Sequence, residues 1–175
     1  HHDHIEMSGL KVSTVLRYGV NETGEWVIDR NIVLPTFRTI PNDTHASLQH
    51  RFNGDWAYLC LVNGQPLLGE KVETISLSGV MTVKSIYSDK GIALTRTLFP
   101  STSYPVFCEK YELENVTDRS LTVEFPSNSL SYRTDEARGV EGSYTLTATL
   151  SSPAKEGVCQ LKAGEKACFQ VLYAG

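Results

Sequence analysis

Most of what would assign a function quickly is missing from this chain. Its 16 Lys and Arg are outnumbered by 20 Asp and Glu, for a net charge of −4. Nucleic acids and anionic membrane surfaces both demand clustered cations, so neither is an expected partner. The longest uninterrupted apolar stretch, Trp56 to Val62, is far short of the ~20 residues that cross a bilayer as a helix. The first residues, His1-His2-Asp3-His4, contain nothing like the apolar segment of a secretory signal. A start without Met fits a mature protein or a piece of a longer one. The 175 residues are enough for one large domain or two very small ones. A chain of this size buries about 70% of its unfolded surface, so a core forms without crosslinks.

The catalogue of catalytic motifs is equally sparse. No Gly-x-Ser-x-Gly elbow, no phosphate-cradling glycine loop and no Cys-x-x-Cys occurs, which excludes the usual serine-hydrolase, nucleotide, zinc and thioredoxin-type chemistries. His1-His2-Asp3-His4 is the one cluster with metal-ligand residue types, and it reads as a flexible tail over 1–8 rather than a site. No cofactor or metal is expected.

Also lacking is any sustained helical periodicity. Alternation takes its place: Tyr144, Leu146, Ala148 and Leu150 are separated by Thr145, Thr147 and Thr149. Leu121, Val123 and Phe125 repeat the pattern, as do Phe169, Val171 and Tyr173, and Trp26, Ile28, Ile32 and Leu34. A period of two is that of a half-buried strand, and the abundance of Thr, Val, Ile and Tyr suits a pleated surface. Turn residues punctuate the chain, among them Asn53-Gly54-Asp55, Asn63-Gly64, Ser88-Asp89-Lys90-Gly91 and Ala163-Gly164-Glu165. Both residues of Asn-Gly tolerate positive φ, which makes it a strong hairpin signal. The expectation is an all-β, two-layer antiparallel β-sandwich of roughly ten to twelve strands, one domain over 9–175. Trp56 to Val62, apolar on both faces, is expected to be a central strand.

Two charged residues fall on apolar faces. Arg96 shares a face with Ile92, Leu94 and Leu98, and Glu109 shares one with Phe107, Tyr111 and Leu113. A loop centred in Pro100 to Pro105 sets residue 99 opposite 106, hence Arg96 opposite Glu109, as a structural ion pair inside the sheet. An arginine-tuned catalytic carboxylate is the alternative, but hydrolysis of glycosidic bonds needs a second acid on that face. The acids near turns, Asp29, Asp43, Asp55, Glu70, Asp118, Asp135 and Glu136, form no recognisable pair. No catalytic residue is assigned.

Sugar recognition remains. Sugars stack their faces on aromatic rings and place hydroxyls against planar polar groups, so Trp56 after the Asn53-Gly54-Asp55 turn is a candidate ring. Arg38, Asn42, Asp43 and His45, in the long polar connection from Pro35 to Ala46, and Asp55 are its candidate polar partners. The opposing reading makes Trp56 the first residue of a core strand. His50, on the face of Leu48 and Phe52, reads as a packed histidine. Cys60 and Cys108 read as buried thiols. Cys159 and Cys168 face each other with a four-residue loop, or Cys159 faces Phe169 with a five-residue one, if their strands are neighbours at all. Three Asn-x-Thr sequons occur, at Asn21, Asn42 and Asn115.

Three further stretches carry a resemblance. These are Leu77-Ser78-Gly79-Val80-Met81-Thr82-Val83, Leu94-Thr95-Arg96-Thr97-Leu98-Phe99-Pro100-Ser101 and Pro105-Val106-Phe107-Cys108-Glu109-Lys110-Tyr111-Glu112-Leu113-Glu114-Asn115. With the ending, Tyr144-Thr145-Leu146 and then Leu161 to Phe169, they resemble the N-terminal β-sandwich that precedes the (α/α)6 barrel in six-hairpin glycoside hydrolases and related sugar phosphorylases. The likeness covers roughly residues 75 to 175. It implies a large "supersandwich" packed on a C-terminal (α/α)6 catalytic domain of the same polypeptide, with the acid and base on the barrel. By that resemblance this chain is a non-catalytic accessory domain of a glycoside hydrolase, near an oligosaccharide, in a bacterial protein exported to the periplasm or secreted. A free-standing carbohydrate-binding or adhesin-like module is the alternative.

Overall fold

The computed structural model describes residues 2–38, 47–126, 129–133, 145–152 and 157–175. The chain is all-β, with antiparallel sheets in a sandwich-like arrangement. Fifteen strands are described, more than the expected number because several are short. They are β1 (His2–Ser8), β2 (Ser13–Val20), β3 (Trp26–Arg38), β4 (Ser47–Asn53), β5 (Leu61–Val62), β6 (Gln65–Pro66), β7 (Lys71–Ser78) and β8 (Val80–Tyr87). The remainder are β9 (Ile92–Pro100), β10 (Val106–Asn115), β11 (Leu121–Glu124), β12 (Ser129–Arg133), β13 (Thr145–Ser151), β14 (Val158–Leu161) and β15 (Lys166–Ala174). Among the described residues the only helical turns are short 3-10 segments at Trp56–Leu59 and Ser88–Lys90.

The strands form a seven-stranded sheet in the order β12-β13-β15-β10-β9-β8-β7 and two four-stranded sheets, β1-β2-β3-β4 and β14-β11-β5-β6. Alternation places Leu94, Leu98, Phe107, Tyr111, Phe169, Val171 and Tyr173 on the inner face of the large sheet, all buried. Both small sheets pack on that face. Phe52 of β4 meets Tyr173 at 5.1 Å between ring centroids, and Phe125, beside β11, meets Phe169 at 5.6 Å. Such offset and tilted ring pairs add stabilisation beyond their buried area. The buried apolar side chains of all three sheets join in one cluster.

Local chemistry explains the connections. Asn63 at φ 49 and Gly64 at φ 76 take the two left-handed positions of the β5–β6 hairpin, as Asn-Gly predicts. Gly9 is required for another reason: a Cβ there would lie 2.2 Å from the backbone oxygen of Ser101, so this turn rests directly on the β9–β10 loop.

Several expectations are corrected. Residues 2–8 are not a tail, because β1 pairs with β2 over its whole length and buries Met7. Trp56 to Val62 is not a strand either. It begins as a 3-10 turn closed by the Cys60 N–H donating to the Ala57 carbonyl at 3.0 Å, and only Leu61–Val62 is extended. The exposed Tyr58 is the residue that breaks the apparent all-apolar pattern. Cys159 and Cys168 lie on strands that are not paired. β14 pairs with β11 and β15 with β10 and β13, so neither proposed hairpin register applies, and all four cysteines are free thiols.

Candidate functional site

Arg96 and Glu109 are both buried on the inner face, but they do not pair with each other. The β9–β10 register sets Tyr111 opposite Arg96 and Leu98 opposite Glu109. The Val106 N–H donates to the Tyr104 carbonyl and the Ser101 N–H to the Val106 carbonyl, both at 2.8 Å. That tight closure skews the loop and moves the register by two residues. An even shift preserves the face of every side chain, so the burial was readable while the partner was not.

Each charge finds its partners from other elements. Arg96 grips Asp55 with two bonds, Nη2 to Oδ2 at 2.7 Å and Nε to Oδ1 at 3.1 Å. Its Nη1 donates to Glu70 Oε2 at 2.5 Å and to Ser85 Oγ at 3.3 Å. The other oxygen of Glu70 accepts the backbone N–H of Trp26 at 3.0 Å. One guanidinium on β9 therefore fixes the loop after β4, the residue before β7 and the start of β3. Burial opposes the charge on Arg96, yet Asp55 and Glu70 hold its pKa well above the ordinary value.

Glu109 on β10 pairs with Arg30 on β3. Arg30 Nη2 donates to Glu109 Oε1 at 2.9 Å, and Nε lies 2.7 Å from Oε2 as an ionic contact not aligned for a hydrogen bond. Arg30 Nη1 also donates to the carbonyls of Phe52 at 3.2 Å and Gly54 at 2.7 Å. Tyr111 donates to Glu109 Oε1 at 2.9 Å and lies 6.0 Å below the Arg96 guanidinium, so its ring separates the two ionic groups. Desolvation, then the charge of Glu109, pushes the Tyr111 hydroxyl well above its ordinary pKa. Tyr173 is raised too, by burial first, although nearby Arg30 lowers it. These arrangements suit a closed, neutral-phenol interior with its carboxylates engaged by arginines, rather than an acid exchanging protons with a substrate.

The sugar-site candidates separate accordingly. Trp56 is buried, and its Nε1 donates to Tyr173 Oη at 2.7 Å. It is a core residue and offers no ring to a ligand. Asp55 is committed to Arg96. Arg38 is placed by its backbone, opposite Ser47, while Asn42, Asp43 and His45 lie outside the described residues, as do Asp135 and Glu136. Asp118 is solvent-exposed. His50 stands edge-on to Phe52 at 5.0 Å, and burial lowers its pKa. Asn115 is buried, and its side chain bonds to Arg119, Leu161 and Thr117, so this sequon organises a loop. Among the described residues no three His, Cys, Asp or Glu side chains gather as a metal site needs.

Sequence reasoning missed the outward face of the sheet β1-β2-β3-β4. A polar hollow of about 400 Å³ there is lined by His4, Val15, Arg17, Asp29, Asn31 and Arg51. Arg51 is ion-paired with Asp29, and Asn31 donates to Gln49 at 3.1 Å. The signal was present as the polar half of each alternating strand, but only the sheet order brings four such strands together.

The fold and these sites define an all-β sandwich whose interior acids are structural anchors. No protein-family profile, curated protein or solved structure matches the chain. Among the described residues no helix is long and apolar enough to cross a membrane.

Proposed function

We propose that this chain is a non-catalytic β-sandwich domain of a bacterial, exported glycoside hydrolase, and that it supports a helical catalytic barrel. The observation that carries the reading is the fate of the interior acids. Asp55, Glu70 and Glu109 are each held by an arginine, so the interior is built to hold sheets together, not to hydrolyse. A second observation concerns one end of the sandwich, where Leu10, Leu77 and Tyr104 are largely exposed around the contact of Gly9 with Ser101. Apolar surface of that kind suits cover by another domain.

Reading the gene beyond Gly175 tests the proposal. Helical hairpins bearing a pair of acids support it, and a stop codon overturns it. Turnover of any oligosaccharide by the purified 175-residue chain would overturn it as well. A free-standing carbohydrate-binding module is the second reading, favoured by the polar hollow on the outer face of the four-stranded sheet.

A further inference from the structure

We infer that the outer face of the sheet β1-β2-β3-β4 binds an acidic saccharide, with Arg17 receiving the sugar carboxylate. The saccharide part rests on the carbohydrate reading above, whichever of its two forms holds, while the site itself rests on register. In the β1–β2–β3–β4 order, His4, Arg17, Asp29 and Asn53 form one rung. Glu6, Val15, Asn31 and Arg51 form the next. Strand pleating puts every one of them on the face opposite the core.

Asp29 lies directly across from Arg17, yet it pairs with Arg51 on the diagonal. Among the described residues Arg17 is thereby left on an exposed strand position without a carboxylate, although every other charge of the two rungs but His4 is engaged. Glu6, the remaining acid nearby, accepts from the hydroxyls of Ser8 at 3.1 Å and Ser13 at 2.9 Å. Among the described residues the hollow thus offers a spare guanidinium, whose planar fork matches a carboxylate with two parallel bonds.

The other lining groups distinguish a sugar acid from a bare anion. Arg51 engages Asp29 through Oδ2, which leaves Oδ1 as an acceptor. Asn31 gives its amide to Gln49, which leaves its carbonyl oxygen. Two acceptors beside a cation suit ring hydroxyls flanking a carboxylate, and the partly exposed Val15 supplies an apolar floor for the C–H face. The volume of about 400 Å³ lies within the ~300–1,000 Å³ of small-molecule sites.

The test is a titration of the 175-residue protein, followed by amide NMR shifts, with a short galacturonate oligomer, its methyl ester and sodium acetate. The expected result is saturable binding of the oligomer, with shifts confined to β1–β4. The ester should bind about tenfold more weakly or worse, since one charge-assisted bidentate contact is lost, and acetate should not saturate in the same range. Arg17→Ala should match that loss, and Arg17→Lys should recover part of it; the position is exposed, so the fold should survive. The inference is overturned by no binding, by equal binding of the ester, by shifts elsewhere, or by an unaffected Arg17→Ala. Acetate binding as well as the oligomer would reduce the hollow to an anion site and overturn the saccharide assignment. None of these failures bears on whether a barrel follows Gly175, which is read from the gene.

Discussion

The two faces of the sheet β1-β2-β3-β4 carry similar side chains to opposite effect. Inward, Arg30 is fully buried, meets Glu109 across the sandwich and donates to two backbone carbonyls on and just after the neighbouring β4. Outward, Arg17 has Asp29 directly opposite and loses it to Arg51. The cause is solvent. A buried guanidinium without a partner leaves an uncompensated charge in a poor dielectric, so the fold is selected to match it. A solvated one costs almost nothing unpaired, so the register can leave it spare. Paired cations are therefore structural on the inner face, and an unpaired one on the outer face stays available to a ligand.

The sharpest way to break that contrast is to remove one partner inside. Glu109→Ala leaves Arg30 and the Tyr111 hydroxyl facing a void, and the expected loss is about 3–5 kcal/mol in urea unfolding. Arg96→Ala strands two carboxylates and should cost at least as much. The double variant Arg30→Met with Glu109→Leu removes both charges and refills the space. It should recover most of the loss, because an apolar pair of similar volume is often as stable as a buried ion pair. Equal losses in the single and double variants would show that the pair's own hydrogen bonds, rather than an uncompensated charge, set the cost.

Alkaline pH probes the same interior without mutation. Tyr111 and Tyr173 both have folded pKa values raised by burial, above an unfolded value near 10. Below pH ~10 both phenols are neutral in either state, and their contribution is fully present. Above it the unfolded chain releases protons that the folded chain retains, so stability falls as pH rises. Unfolding midpoints should drop steeply beyond pH ~10, and less steeply in Tyr111→Phe, which keeps Tyr173. A midpoint indifferent to pH in that range would contradict the buried placement.

Strand alternation carries the face of each residue but not the identity of its neighbours across the fold. Period-two alternation identified the inward residues of β3, β9, β10, β13 and β15, because a pleat has only two sides. It marked Arg96 and Glu109 as interior charges for the same reason. Their partners were hidden, since Arg30–Glu109 and Arg96–Asp55 span 79 and 41 positions and depend on which strands become neighbours. The β9–β10 register failed by two residues because the Tyr104–Val106 backbone bond has no side-chain signature. Trp56 is a core residue, as the opposing reading has it, but in a turn rather than a strand, because that turn is fixed by distant groups, Arg96 holding Asp55 and Tyr173 accepting the indole N–H. The outer hollow is built wholly from residues that alternation assigns to solvent.

The two core tryptophans narrow the comparison to a single bond. Trp56 Nε1 donates to Tyr173, whereas Trp26 Nε1 is buried without a hydrogen-bond partner among the described residues. Trp56→Phe should cost about 1–3 kcal/mol beyond its lost volume, since it deprives the buried phenol of a donor. Trp26→Phe should cost less, because it removes an orphaned donor along with part of a ring that Tyr18 stacks on at 5.7 Å. Reversal of that order would mean that ring volume, not hydrogen bonding, decides.

The smallest effect is expected outside. Arg51 is 56% exposed and Asp29 22%, so Arg51→Ala should change stability by only ~0.2–1 kcal/mol, and less in high salt. Its consequence lies in the neighbour it frees. With Arg51 gone, Asp29 is open to Arg17 directly across the strands, and a cross-strand opposite-charge pair is itself mildly stabilising. Arg51→Ala should therefore be nearly neutral for folding while drawing Arg17 away from the hollow. Urea unfolding together with galacturonate titration of this variant separates the two effects. Unchanged stability with binding lost is the outcome that an outer face tuned for a ligand requires, whereas lost stability with binding intact would make the Asp29–Arg51 pair a fastening like those inside.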